Sequence, residues 1–113
     1  TTSQKILKEK NEAMLDFGRA SDEAIHYFKN NKPQSLAILK KYAKTDLSTL
    51  DSAYAYLKNA FPDMPYPTLE GMKTILAEMG RTRPEVLRYD AATTVDTSIV
   101  KTIDDEGFLK KLR

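Results

Sequence analysis

Helical periodicity is the feature that most restricts what this chain can fold into. Between residues 11 and 30 the apolar side chains recur at steps of three, four or seven, and charged residues lie largely between them. No segment alternates apolar and polar residues with a convincing period of two, and no unit recurs at a constant interval. The sequence therefore predicts an all-α fold of about five amphipathic helices with short terminal turns.

Turn signals divide the first half of the chain into helical hairpins over about 11–60. Pro33 suits the first position of a second helix, and Asp46 is the predicted N-cap of a third. Gly18 lies inside the first helix at a cost of about 1 kcal/mol relative to alanine, which predicts a close helix crossing or a slight bend. The predicted buried stripes of the second and third helices are Leu36, Leu39, Tyr42 and Ala43, then Leu47, Leu50, Tyr54, Leu57 and Phe61.

A proline-rich connector over 61–67 follows these hairpins. Three prolines between positions 62 and 67 exclude regular helix and favour extended backbone. The apolar residues of the connector predict that it lies against protein surface. Thr68 is then expected to cap a helix over 68–80, and Gly80 is expected to close that helix in the left-handed conformation.

The last third of the chain has weaker signals. Residues 81–95 show little periodicity and are predicted to form a loop, in which residues 85–88 have the pattern of one helical turn. A C-terminal helix is predicted over 96–112. Asp96 is the expected N-cap of that helix, and Val95 and Val100 have the spacing of a hydrophobic staple. Gly107 is expected to end its main run, so that the last apolar residues dock as a final turn.

Length and charge limit the classes of function. A chain of 113 residues, 41% of them hydrophobic, builds one modest core and no second lobe around a closed cleft. Eighteen Lys and Arg residues alternate with sixteen Asp and Glu residues, so there is no basic stripe and we expect no nucleic-acid partner. The chain has no cysteine and no apolar run of about 20 residues. Its start at Thr1, without Met, predicts a processed or cut end.

Residues capable of chemistry are sparse. His26 is the one histidine, and a lone helical histidine is expected to be a packing or surface residue rather than a base or ligand. It follows Glu23 in a Glu-x-x-His spacing that occurs once, whereas a dinuclear carboxylate bundle needs two copies. Neighbouring carboxylates at Asp104-Asp105-Glu106, like the pair Asp22-Glu23, predict no convergent metal site.

Other ligand signals are also weak. The four glycines are scattered singly, which gives no phosphate-binding loop. The six tyrosines are expected to seal the rim of a core, and the alternative is that they line an aromatic ligand or partner surface. The sequence therefore predicts no enzyme, no catalytic or metal residues and no cofactor, and it leaves ligand-binding residues unknown.

Three motifs in order resemble a known family. The stretch Arg19-Ala20-Ser21-Asp22-Glu23-Ala24-Ile25 follows a run that begins at Thr2 and precedes a break at Asn30-Asn31-Lys32-Pro33. Tyr66-Pro67-Thr68-Leu69-Glu70-Gly71 is the second motif, and Val95-Asp96-Thr97-Ser98-Ile99-Val100 with Glu106-Gly107-Phe108 is the third. Together they resemble the C-terminal third of substrate-binding proteins of the nitrate/sulfonate/taurine class of ABC importers.

The resemblance implies a role in transport. It implies that the chain is the helical C-terminal part of a two-lobed type II periplasmic-binding-protein α/β fold, located in the periplasm or otherwise outside the cytoplasm. The whole protein would deliver a small anion, such as a sulfonate, nitrate or taurine-like compound, or a pyrimidine-type ligand, to an ABC permease. This segment would be scaffold, because the family's ligand contacts lie mostly in the part that precedes it.

Two other interpretations stay open. Amphipathic helices alone also fit a free-standing helical protein–protein interaction module. Pyrimidine synthases of thiamine biosynthesis resemble the same binding proteins, although any catalytic residues would lie outside this chain. A helical layer separated from its sheet is expected to expose a contiguous apolar face, and self-association through that face is a further expectation.

Overall fold

The computed structural model describes residues 2–112 and is all-helical, with 77% helix. No β-strand occurs in that range, and five of the eight α-helices have seven or more residues, which confirms the predicted fold class. The α-helices are α1 (Gln4–Glu9), α2 (Asn11–Asn30), α3 (Lys32–Ala43), α4 (Leu47–Ala60), α5 (Leu69–Gly80), α6 (Ala91–Thr94), α7 (Ser98–Asp105) and α8 (Phe108–Lys111). A 3-10 helix, Pro84–Arg88, lies between α5 and α6.

Polar caps fix the starts of α1 and α4 in the first half. Ser3 accepts a hydrogen bond from the Ile6 N–H and starts α1, a helix that lies before the periodic pattern. Asp46 accepts the Thr49 N–H at 2.9 Å, as predicted for an N-cap, and this bond lowers the pKa of its carboxyl. Asn31 alone separates α2 from α3. Helices α2 and α3 are therefore joined by a very short link.

The proline-rich connector has neither helix nor strand and is held by contacts along its length. The ring of Phe61 meets the ring of Phe28 edge-on, with centroids 5.8 Å apart. Asp63 Oδ1 pairs with Lys29 Nζ, and the Tyr66 hydroxyl donates to Asp104 Oδ2 at 2.9 Å. Thr68 then accepts the Gly71 N–H at 3.1 Å and starts α5. The connector is thus tied to α2 and α7.

Two expectations for the second half are wrong in detail, and a third holds. Gly80 ends α5 without a left-handed φ, and it lies there because the Leu87 side chain occupies the space of a Cβ. The predicted loop over 81–95 contains the 3-10 helix and α6, which Asp90 caps by accepting the Ala92 N–H. The helix predicted over 96–112 is α7 followed by the short helix α8, with Gly107 at φ 64° between them, as expected of a glycine that ends the main run before a final turn.

The start of α7 differs by one residue from the expectation. Thr97 occupies the N-cap position, yet Asp96 Oδ1 accepts the Ser98 N–H at 2.8 Å and so satisfies a free donor of the first turn. A hydrogen bond with the Ser98 side chain, together with this backbone bond, lowers the pKa of Asp96. The carboxylate predicted to cap this helix therefore does so from the preceding residue.

Helix α2 is the centre of the packing. It contacts α7 and α8 on one side and α3 on another, α3 packs on α4, and α5 packs on the 3-10 helix and α6. The buried apolar residues of the described chain are Leu15, Leu50, Tyr54, Ala91 and Ile103. Four residues of the stripes predicted for α3 and α4 are exposed instead: Tyr42 at 74%, Leu47 at 58%, Ala43 and Phe61. Helices α3 and α4 therefore carry more apolar side chains than the rest of the described chain covers.

The helices spread into a slab of 44 × 37 × 21 Å. The radius of gyration is 17.0 Å, whereas a compact domain of this length has one of roughly 13 Å. The accessible surface is 8455 Å², whereas a compact monomer of this mass exposes roughly 6300 Å². The chain thus exposes about one third more surface than a self-contained domain of its size.

Tyr54 joins α4 to the end of α2 and gives a first prediction. Its hydroxyl donates to the carbonyl oxygens of Phe28 and Lys29 at 2.9 and 3.1 Å, and its ring lies 4.8 Å from the ring of Phe28. Tyr54→Phe should lower the free energy of unfolding by about 1 kcal/mol, because both carbonyls lose a donor. Urea unfolding followed by circular dichroism measures the loss. Tyr56→Phe, on the exposed face of α4, should leave the transition in place.

Candidate functional site

Helix α2 crosses helix α7 at close range at Gly18. A Cβ at position 18 would lie 2.5 Å from Ile103 Cδ1 and 3.3 Å from Ile99 Cγ2. Only glycine lets the two backbones approach this far without moving those side chains. The expected close crossing at Gly18 is therefore present.

An open groove runs beside this crossing, and we call it the central groove. It has a volume of about 930 Å³ and lies between α1, α2 and α7 on one side and the connector, α5 and α6 on the other. Its apolar lining includes Met14, Phe17, Pro65, Pro67, Met72, Val95, Ile99, Val100 and Ile103. Phe17 is 71% exposed although it lines the groove, so a large apolar ring faces solvent there.

Asp22 is the unusual residue of the central groove. It follows Gly18 by one turn of α2, lines the groove and is 2% exposed. Its Oδ2 has no hydrogen-bond partner among the described residues. Burial raises the pKa of Asp22, and the nearby charge of Asp104 raises it further. A buried carboxylate oxygen without a donor costs stability, so it marks a place where a donor is missing.

The other acids near the crossing have partners. Asp104 accepts the Tyr66 hydroxyl, while Asp105 pairs with Lys101 at 2.9 Å. Glu106 takes a two-pronged hydrogen bond from Arg19, with Nη2 2.9 Å from Oε1 and Nε 3.2 Å from Oε2. That bond raises the pKa of Arg19. The three consecutive carboxylates therefore point to separate cations or donors instead of one site.

His26 lies outside the central groove. It is half-buried on α2 and lines a smaller cleft of about 590 Å³ with Lys29, Asp63 and Leu109. Glu23 is exposed on the same helix and lines a different depression between α2 and α3. In residues 2–112 no three His, Cys, Asp or Glu side chains come together as metal ligands would. The Glu-x-x-His pair thus gains no further ligand from the fold.

The central groove has the chemistry of a docking surface. Its walls are apolar, its described lining contains the carboxylates of Asp22 and Asp96, and it contains no Lys, Arg or His. Asp96 is occupied in capping α7, which leaves Asp22 as the carboxylate available to an occupant. The neutral polar residues of the lining are Thr2, Gln4, Ser21, Thr93 and Thr94. The sequence patterns place Asp22 beside Glu23 and His26 on the helix and predict no metal site there. The signal that identifies Asp22 is its spacing from Leu15 and Gly18, which places all three on one helix face.

The pH dependence of stability tests the state of Asp22. Because its pKa is raised in the folded chain, its contribution is full below the unfolded value of 3.8 and is lost as pH rises through the folded value. Asp22→Asn should therefore be more stable than wild type by about 1 to 2 kcal/mol at pH 7, and this gain should shrink toward pH 4. Urea midpoints across that range measure the gain.

The comparison with wild type at each pH is necessary because Asp46 and Asp96 act in the opposite direction. Their lowered pKa values stabilise the fold above their unfolded values and lose that effect as pH falls. Glu12→Gln, which removes an exposed carboxylate from the same helix, controls for the change in net charge. A gain at Asp22→Asn that stays constant with pH would contradict the burial of a charged group.

None of the helices in residues 2–112 has the length and apolar character needed to cross a membrane. A scan against protein-family models found no match to the chain, and searches of curated proteins and of solved structures found none either.

Proposed function

We propose that this chain is the helical portion of an extracytoplasmic solute-binding protein of the nitrate/sulfonate/taurine class. In the whole protein two lobes close over a small anion or a pyrimidine-type ligand and present it to an ABC permease. The role of this segment is scaffold: it covers part of a lobe and carries no catalytic, metal or cofactor site. Its contact with the permease and with the ligand depends on the rest of the protein.

The observation that carries this proposal is the surface left open by the fold. The chain exposes roughly 2200 Å² more than a compact monomer of its mass, and the slab is one or two helices thick. A standard interface buries about 800 Å² on each partner, so the excess matches a large, permanent contact. A helical layer that normally rests on other protein has these properties.

Local geometry at the three motifs also supports the proposal. The break at residues 30–33 is a tight link between α2 and α3, and Thr68 of the second motif caps α5. The third motif forms α7, with the left-handed Gly107 leading into α8. Each motif therefore forms a defined turn, helix or helix end.

A chimera tests the proposal. The C-terminal helical portion of a taurine-binding member of the family is replaced with residues 1–113, and taurine binding is measured by calorimetry. We expect the chimera to fold and to bind taurine within about tenfold of the parent affinity, because the scaffold provides few ligand contacts. The parent truncated before this portion is the control and should not bind.

The chain alone gives the complementary measurement. Without the remaining lobe it should bind taurine, other sulfonates, nitrate or a pyrimidine no better than millimolar. Micromolar binding by the isolated chain would contradict a purely scaffolding role. A chimera that folds without binding taurine would contradict membership in this class.

The exposed apolar side chains on α2 and α3 favour a second candidate, a free-standing helical interaction module. Tyr27 and Ile38 line a shallow apolar depression there, and Tyr42 extends the exposed face. A module of this kind is stable alone. Light scattering that shows a monomer, together with a cooperative melt, would favour it over the scaffold, for which we expect self-association through exposed apolar surface.

A further inference from the structure

We propose that the central groove is the seat of an apolar polypeptide segment that presents one Lys or Arg side chain to Asp22. The inference deepens the proposed function and rests on it, because the segment then belongs to the part of the binding protein that this helical layer covers. It names the chemistry of the contact, which the scaffold role alone leaves open.

The first step is the unpartnered oxygen. Asp22 Oδ2 is buried without a donor, whereas nearly all buried polar side-chain atoms in folded proteins have one. Three hydroxyl groups of the groove lining already donate to backbone carbonyl oxygens and not to Asp22, those of Ser21, Thr93 and Thr94. The donor must therefore come from whatever fills the groove.

The second step is the sign of the charge. The described lining contains two carboxylates and no cation, and Asp104 adds a third negative charge close enough to raise the pKa of Asp22. Arg19 and Lys101, the nearby cations, are engaged by Glu106 and Asp105. A cationic side chain in the groove thus meets an uncompensated negative field, which favours Lys or Arg over a neutral donor.

The third step is the size and polarity of the occupant. A groove of about 930 Å³ with apolar walls and an exposed Phe17 ring requires apolar atoms over most of its length. A free ion or a small polar solute leaves those walls wet. A polypeptide segment with apolar side chains on both sides of one basic residue satisfies the walls and Asp22 together.

A peptide selection tests the inference on the full chain. A displayed library of random peptides is selected for binding to residues 1–113 at pH 7, and the recovered peptides are synthesised. We expect apolar peptides with one Lys or Arg. Asp22→Asn should weaken their binding by about 10- to 100-fold, and replacing the basic residue of the peptide with Met should do the same. Phe17→Ala should also weaken binding, which places the peptide in the central groove.

Controls separate this contact from general attraction to negative charge. Glu12→Gln removes an exposed carboxylate of α2 and should leave the affinity unchanged. The replacement of Lys or Arg in the peptide requires no protein variant, so it remains decisive if Asp22→Asn alters folding. Recovered peptides without a basic residue, equal affinity for wild type and Asp22→Asn, or no binder that Phe17→Ala weakens would each overturn the inference.

Two further outcomes are informative. Sedimentation that shows a dimer whose groove excludes peptides would make a second copy the occupant and would overturn the inference. A taurine-binding chimera together with peptides that lack basic residues would leave the scaffold role intact and reject only the contact at Asp22. Basic, Asp22-dependent peptides together with a chimera that does not bind would reject the transport role and retain a peptide-binding groove.

Discussion

Ile103→Ala should lower the free energy of unfolding by about 3 to 4 kcal/mol. Ile103 is 1% exposed and is the largest fully buried side chain of the described residues. Its Cδ1 fills the space that Gly18 leaves open on α2, so it joins α7 to the longest helix. Its truncation removes three carbons from the contact that joins α7 to α2, and glycine on the opposite helix has no side chain to refill the gap.

Urea unfolding followed by circular dichroism measures this loss, and Ile38→Ala is the matched control. Ile38 lies on α3 and is 51% exposed, so the same deletion there should cost less than about 0.5 kcal/mol. Comparable losses at the two positions would contradict a packing centre at the α2–α7 crossing. The contrast matters because few buried apolar residues hold this slab together, and α7 has little else to bury.

The sequence predicted the elements that depend on local chemistry. Asp46 and Thr68 precede helices with the caps expected of them, and the prolines of 61–67 exclude helix there. Gly18 was identified because glycine inside a long amphipathic helix has a cost that needs a reason. For the caps and the prolines the deciding interaction lies within a few residues, whereas at Gly18 the local cost of glycine in a helix indicates a contact with a distant segment.

The remaining features depend on contacts between distant segments. Gly80 has the sequence position of a left-handed cap, yet the packing of Leu87 explains it. Tyr42 and Leu47 fit the apolar stripes but stay exposed, because periodicity shows which face is apolar and not what covers it. An aspartate is normally exposed to solvent. Asp22 lies on the same face of α2 as Leu15 and Gly18, but its burial depends on the packing of α7 against that face.

The proposed function explains both the exposed apolar stripes and the buried carboxylate of Asp22. A helix face selected to pack on a second protein layer keeps its apolar residues, and a carboxylate selected to meet a cation of that layer keeps its charge. Both are unfavourable in the chain alone. The layer is therefore expected to gain stability from its partner in proportion to the surface covered and to the donor supplied at Asp22.

Gly18→Val should destabilise the chain by about 2 to 3 kcal/mol, even though valine has a higher helix propensity than glycine. The added Cβ would meet Ile103 Cδ1 at 2.5 Å and Ile99 Cγ2 at 3.3 Å, and the β-branch has one preferred rotamer in a helix. Relief requires the buried Ile103 side chain to leave its rotamer or α7 to move away from α2, and the second route also opens the site of Asp22. Urea midpoints for this variant and wild type measure the cost.

A smaller pair of changes tests the same contact without distorting the backbone. Valine lacks the Cδ1 atom of Ile103, which is the atom nearest a Cβ at position 18, so Gly18→Ala and Ile103→Val are complementary in shape. Each single change should cost about 1 kcal/mol, and the double variant should recover most of that loss, with a coupling of about 2 kcal/mol. Additive losses would show that the helices do not meet at these two residues, and the central groove would then need another wall.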